Sequence, residues 1–166
     1  MILWFAGMAL VGVWVVFRDP ALDHRLVVAG ALLPDVVDGL LDLVGVTGPW
    51  PAHTLLASVG LLTVVMLATR GRRLRRRQLL ALAIGTFLHL VLDGAWAHTE
   101  VFWWPLLGVD VGAQVLPSAA RGTANAALEL VGAGALIWVW RRFRLGEGPR
   151  RKVFLRTGRV GRDLVA

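Results

Sequence analysis

"RGRRLRRRQLLALAIGTFLHLVLD", residues Arg70–Asp93, carries the two features on which the fold of this chain turns. It opens as a run of arginines and continues as an apolar segment in which His89 and Asp93 stand four positions apart. Similar apolar runs, separated by polar or basic breaks, recur along the chain at Ile2–Phe17, Leu26–Val44, Thr54–Thr69, Leu79–Ala95 and Ala124–Trp140. Hydrophobic residues make up 57% of the 166, the mean hydropathy is +0.66, and there are eight Trp and no Tyr. That profile lies well above ordinary globular usage. It predicts an all-α, polytopic transmembrane helical bundle of about five spans, or four if the first is removed. The expected organisation is an integral membrane helical domain over 1–145 and a basic cytoplasmic tail over 146–166.

The arginines orient this expected bundle. Alternating the five spans places 18–25, 70–78 and 141–166 on one side, and every one of the 18 Lys and Arg except Arg121 falls there. The positive-inside tendency makes that side cytoplasmic and the N-terminus external, a multi-pass topology in the cell inner membrane (plasma membrane). Met1–Phe17 has no basic leading region and no small-x-small cleavage site, so it reads as a retained span. The net charge of +7 is then a topological signal, with membrane lipid as the expected partner and no nucleic acid. The Arg- and Gly-rich tail Gly146–Ala166 reads as a poorly ordered extension.

With no Cys in the chain, disulfides, thiolate metal sites and cysteine nucleophiles are excluded, and any metal must be held by His, Asp and Glu. Those residues are present inside the apolar runs, where ionisable groups are costly and mark function. Asp35, Asp38 and Asp42 are spaced to share one helical face, and Pro34 before them predicts a kink or restart that leaves Asp35 at a helix N-terminus. His89 and Asp93 stack one turn apart, His53 stands at the entry of the third run, and Glu129 lies in the fifth. At about 1.5 Å of rise per residue, nearly all of these groups fall within the outer ~10 Å of the expected bundle. Imidazole nitrogen and carboxylate oxygen suit a divalent ion, zinc first, with manganese or iron as alternatives. A metal with an open position supports hydrolysis, and a spare carboxylate can serve as general base. His98 and Glu100 read as solvated loop groups, His24 as uninvolved, and Trp103 and Trp104 as an interfacial aromatic belt.

The ordered set "GALLPDVVDG" (Gly30–Gly39), "PAHTLLAS" (Pro51–Ser58), "GTFLHLVLD" (Gly85–Asp93) and "FWWPLLG" (Phe102–Gly108) resembles the membrane-bound metal-dependent hydrolases, also called LexA-binding, inner-membrane-associated hydrolases. The resemblance covers about residues 26–108. It implies Asp35, Asp38, His53, His89 and Asp93 as metal-binding residues, with Asp35 and Asp38 also catalytic. It further implies hydrolysis of an ester or phosphodiester, in a lipid-like substrate, at the outer face of the membrane. This chain departs from the family pattern in four ways. Gly48, Pro49 and Trp50 stand where His-Arg-Gly is usual, and Ala52-His53-Thr54 replaces Thr-His-Ser. Asp38 follows Asp35 by three positions where two is usual, and Met1–Phe17 has no histidine. The competing expectations are a small transporter or proton relay using the same acids, and an inactive scaffold in which buried polar pairs only fix helix packing.

Overall fold

The computed structural model describes residues 1–46, 50–108 and 120–165. Among these residues the chain is helical throughout, with no strand. The helices are α1 (Ile2–Phe17), α2 (His24–Leu43), α3 (Leu55–Ala68), α4 (Arg73–Asp93), α5 (Thr99–Phe102), α6 (Ala124–Arg142) and α7 (Gly148–Thr157). One of the 3-10 turns, Pro51–His53, leads into α3.

The expectation of membrane spans is corrected by these helices. None of those described is long and apolar enough to cross a membrane. α1 and α3 have 16 and 14 residues, about 24 and 21 Å at the helical rise, against a hydrocarbon core of about 30 Å. The longer helices fail on charge. α2 carries Asp35, Asp38 and Asp42, and α6 carries Glu129 and ends in Arg141 and Arg142. α4 begins inside the arginine run, so Arg73, Arg75, Arg76 and Arg77 are its first turns. From Arg73 on, the opening stretch is therefore one helix of two halves, basic then apolar, where the sequence pattern predicted a charged loop followed by a span. These helices therefore do not support the expected transmembrane topology or the inner-membrane location inferred from it.

Local chemistry sets the helix ends. The Asp23 side chain accepts from the Arg25 N–H at 3.1 Å and caps α2. Thr54 accepts from the Ala57 N–H at 3.0 Å and caps α3. Gly94, with φ 69°, closes α4 in the left-handed conformation that glycine adopts without strain. Pro34 neither kinks α2 into two helices nor restarts it, since α2 runs unbroken through it and buries it. Asp35 consequently sits mid-helix, not at an N-terminus.

α2 and α4 make the most extensive pairing, α1 packs on α6 and α2, and α3 lies along α4. The α2–α4 contact depends on two glycines. A Cβ on Gly30 would collide with the Leu82 carbonyl, and one on Gly85 with the Val27 carbonyl, so backbone meets backbone there. The Thr86 hydroxyl donates to the Gly30 carbonyl at 3.2 Å across the same seam. Phe5, Ala9, Val13, Val27, Ala31 and Ala81 fill the core between α1, α2 and α4. This seam fixes how the C-terminal half of α2 faces the end of α4.

The C-terminal segment is also ordered against the bundle. α7 has Pro149 in its first turn and is capped by Gly158, whose carbonyl accepts from the His24 N–H at 2.9 Å. The Val160 N–H donates to Pro20 at 3.0 Å, and Arg150 pairs with Asp163 at 2.9 Å. Leu164 is buried with Trp14, Val139 and Phe143. The expected poorly ordered tail is thus a helix and a turn that complete a second apolar cluster.

Candidate metal centre

Three side chains from three elements converge at one end of the α2–α4 seam. Asp35 comes from α2, His53 from the 3-10 turn and His89 from the last turns of α4. One donor atom from each lies within 4.8 Å of the other two. His53 Nε2 and His89 Nε2 are 3.0 Å apart, and Asp35 Oδ1 is 3.3 Å from the first and 3.5 Å from the second. Both rings are fully buried, while the Asp35 side chain keeps 32% of its exposure. The group can hold a metal ion.

The outward nitrogens decide what the inward ones can do. His89 Nδ1 lies 2.7 Å from the Ala31 carbonyl oxygen, which can only accept, so Nδ1 carries the proton and Nε2 presents its lone pair. His53 Nδ1 lies 2.6 Å from Asp38 Oδ2, with the same consequence. Asp38 Oδ1 in turn accepts the Ala52 N–H at 3.1 Å, which holds the carboxylate in place. Two imidazole lone pairs and a carboxylate oxygen facing one point repel one another unless a proton or cation lies between them. A metal-ligating histidine characteristically donates its other N–H to a carboxylate or carbonyl, and both histidines here do so. The donor set therefore fits a divalent ion.

The protonation equilibria express the same crowding. Burial lowers the His53 pKa, but hydrogen bonds and charge from Asp35 and Asp38 outweigh it and raise it to about 9. Burial, against attraction from Asp35, takes His89 down to about 4. Burial raises the Asp35 carboxyl, yet the His53 hydrogen bond and the two imidazoles bring it below its ordinary value. Without a metal, one proton shared among the three groups, carried mainly by His53, relieves the repulsion.

The remaining expected site residues occupy distinct places. Asp38 stands behind His53 as its carboxylate partner. Asp93 is one turn beyond His89, fully buried, and neither carboxylate oxygen has a hydrogen-bond partner among the described residues. Its Oδ1 is 3.4 Å from Arg121 Nη2, which also contacts the Asp93 carbonyl. Burial, offset by His53 and Arg121, raises its pKa to about 6. Asp42, His98 and Glu100 are exposed, and Glu129 accepts the Leu3 N–H at 2.9 Å at the start of α1. Gly48 and Pro49, two of the departures from the family pattern, lie outside the described residues.

Two contributors went unanticipated. Arg121 was visible as the one basic residue outside the clustered majority, but chain separation hid its approach to Asp93. Phe5, whose ring centroid is 4.0 Å from that of His89, looked like any core aromatic.

No family model, curated protein or solved structure matches this chain. The reading of the site therefore rests on its own geometry.

Proposed function

We propose that the protein is a metal-dependent hydrolase, acting on an ester or phosphodiester, with its ion held by Asp35, His53 and His89. The observation that carries this reading is the convergence of two tautomer-fixed Nε2 atoms and one carboxylate oxygen on a single point. Two nitrogens and one oxygen make a borderline ligand set, which favours zinc over manganese or iron. Three protein ligands leave room in a tetrahedral site, the arrangement that distinguishes catalytic from structural zinc. When bound, such an ion supplies Lewis acidity toward a carbonyl or phosphoryl oxygen and acidifies water to near neutrality.

The chain's own residues do the rest. Asp38 and the Ala31 carbonyl hold the two rings in their tautomers and orientations, so little reorganisation accompanies binding. Asp93 is the spare carboxylate. One turn beyond His89 on α4, it would take a proton from the attacking water and return it to the leaving group. Arg121 restrains it and supplies positive charge where an anion develops. The partial exposure of Asp35 gives the site an open side, while Phe5 seals the His89 face.

The test is hydrolysis of p-nitrophenyl esters and bis-p-nitrophenyl phosphate by the purified protein with zinc or manganese, with chelator, and in His89→Ala. Metal-dependent turnover that His89→Ala lowers by at least about a hundredfold is expected. Turnover insensitive to both chelator and substitution contradicts the reading.

A further inference from the structure

An apolar groove of about 470 Å³ runs down the bundle between α1, α3 and α4, within the size range of small-molecule sites. None of the three ligands lines it, but its upper end lies toward them along α3 and α4. Leu88 in its wall precedes His89, and Ser58 lies one turn beyond Thr54, the residue that follows His53. From there the walls descend together, along Leu88 to Ala83 on α4 and Ser58 to Leu62 on α3, away from the ligands. Val16, Phe17, Val59 and Phe87 are exposed along it. Among the described residues, no charged side chain lines it.

The one polar group in the lining is the Ser58 hydroxyl. Ser58 is 4% exposed, and its Oγ has no hydrogen-bond partner among the described residues. Helical hydroxyls commonly donate to the carbonyl one turn back, and Thr63 on the same helix does so to Val59 at 2.8 Å. Ser58 forgoes that bond and leaves a buried donor at the end of the groove nearest the metal centre. A buried unsatisfied polar group is costly, so a ligand atom that accepts there is favoured. An amphiphile with a polar end at the ligands, an oxygen within reach of Ser58 and an alkyl chain below matches all three features.

We propose that the substrate is a linear long-chain acyl ester, its chain in this groove and its acyl carbon at the metal centre. This deepens the hydrolase reading and rests on it. In the reaction water forms a bond to the acyl carbon and the bond from that carbon to the alcohol oxygen breaks. The alcohol oxygen takes up a proton, and the fatty acid departs. The groove selects by burying methylenes, each worth about fourfold in affinity while the groove can still accept them.

The experiment has a binding arm and a turnover arm. In the first, a fluorescent hexadecanoic acid analogue is titrated into metal-free protein, wild type and Gly12→Phe. A Cβ at Gly12 meets nothing nearer than a Leu88 methyl at 4.0 Å, so the substitution is tolerated by the backbone and fills the groove. Its far-UV spectrum and melting temperature establish that it folds. In the second, p-nitrophenyl decanoate is compared with the acetate on zinc-loaded wild type.

Saturable binding by wild type, weakened at least about tenfold in folded Gly12→Phe, is expected. A decanoate preference of about a hundredfold in kcat/KM is expected with it, the yield of a few buried methylenes. Binding without hydrolysis of any ester upholds the groove's occupant and removes the hydrolase reading. Absence of fatty-acid binding by wild type overturns the proposal even where short esters are cleaved. Binding unchanged in Gly12→Phe overturns it too, as does a wild-type dimer, closed to the fatty acid, that Gly12→Phe converts to monomer.

Discussion

Each end of the molecule buries histidine completely, and the two ends use it in opposite ways. At one end His53 and His89 turn their Nε2 atoms toward each other and toward Asp35, and each ties its Nδ1 to an acceptor. At the other, His24 places Nδ1 between the Leu22 and Gly158 carbonyls at 3.0 and 2.9 Å. Its Nε2 has no hydrogen-bond partner among the described residues and is enclosed by Trp14, Phe143 and Phe154. His24 has no second ligand to meet and works as a clasp between the start of α2 and the C-terminal segment. Burial alone thus fails to mark a site. Convergence of lone pairs, each fixed by a partner on the far side of its ring, does.

The largest expected effect comes from separating the elements that bring the ligands together. Gly85→Val forces a side chain into the α2–α4 backbone contact and should destabilise the fold by about 3 kcal/mol, the upper range for overpacking. Chemical denaturation measures it. Gly134, whose Cβ meets nothing within 4 Å, is the control, and Gly134→Ala should be neutral or slightly stabilising. Equal losses in both would show that the α2–α4 seam is not what positions the ligands.

Next in size is the partner behind the ring. Asp38→Ala removes the acceptor on His53 Nδ1 and should weaken zinc binding about 10–100-fold, the usual effect of losing such a partner. Zinc titration with a competing chelator reads it. His24→Asn, at the other end, should leave zinc affinity unchanged. If His24→Asn weakened zinc as much as Asp38→Ala, the contrast between the two ends would collapse.

The smallest effect is in pH dependence. Burial lowers the His24 pKa against the pull of its two backbone carbonyls, so the folded state holds the ring neutral. Unfolding then takes up a proton below about pH 6.5, and stability falls as pH falls through that value. His89, at about 4, adds in the same direction. His53 has the opposite sign. In metal-free protein its contribution is present below about pH 6.5 and is lost as pH rises through about 9. His24→Asn should flatten the acid side of the stability profile by no more than about 1.4 kcal/mol per pH unit and leave the alkaline side untouched. Denaturation midpoints across pH 4–9 test both limbs.

Much of the site was legible because its determinants are local. The spacing of Asp35 with Asp38 and of His89 with Asp93 survives in any helix, and the entry position of His53 follows from Pro51 and Thr54. The division of labour was not legible. Asp38 and Asp93 look like ligands in the sequence, and only the packing turns Asp38 behind His53 and places Asp93 against Arg121. The fold was half legible. Apolar runs correctly marked helices, but hydropathy cannot locate a helix start inside "RGRRLRRR", where arginine propensity carries α4 down to Arg73. Nor could composition show that Leu164, packed on Trp14 and accepting from Arg142 at its carbonyl, fastens the tail, because those contacts are long-range and specific.

If Asp35, His53 and His89 hold one divalent ion, X-ray absorption at the zinc edge on protein loaded to saturation will show it. One zinc per chain is expected, with two imidazole nitrogens at about 2.0–2.1 Å and oxygen at about 2.0–2.2 Å. His53→Ala and His89→Ala should each remove one imidazole and most of the bound metal. Absence of stoichiometric zinc, or a spectrum that either substitution leaves unchanged, would contradict it.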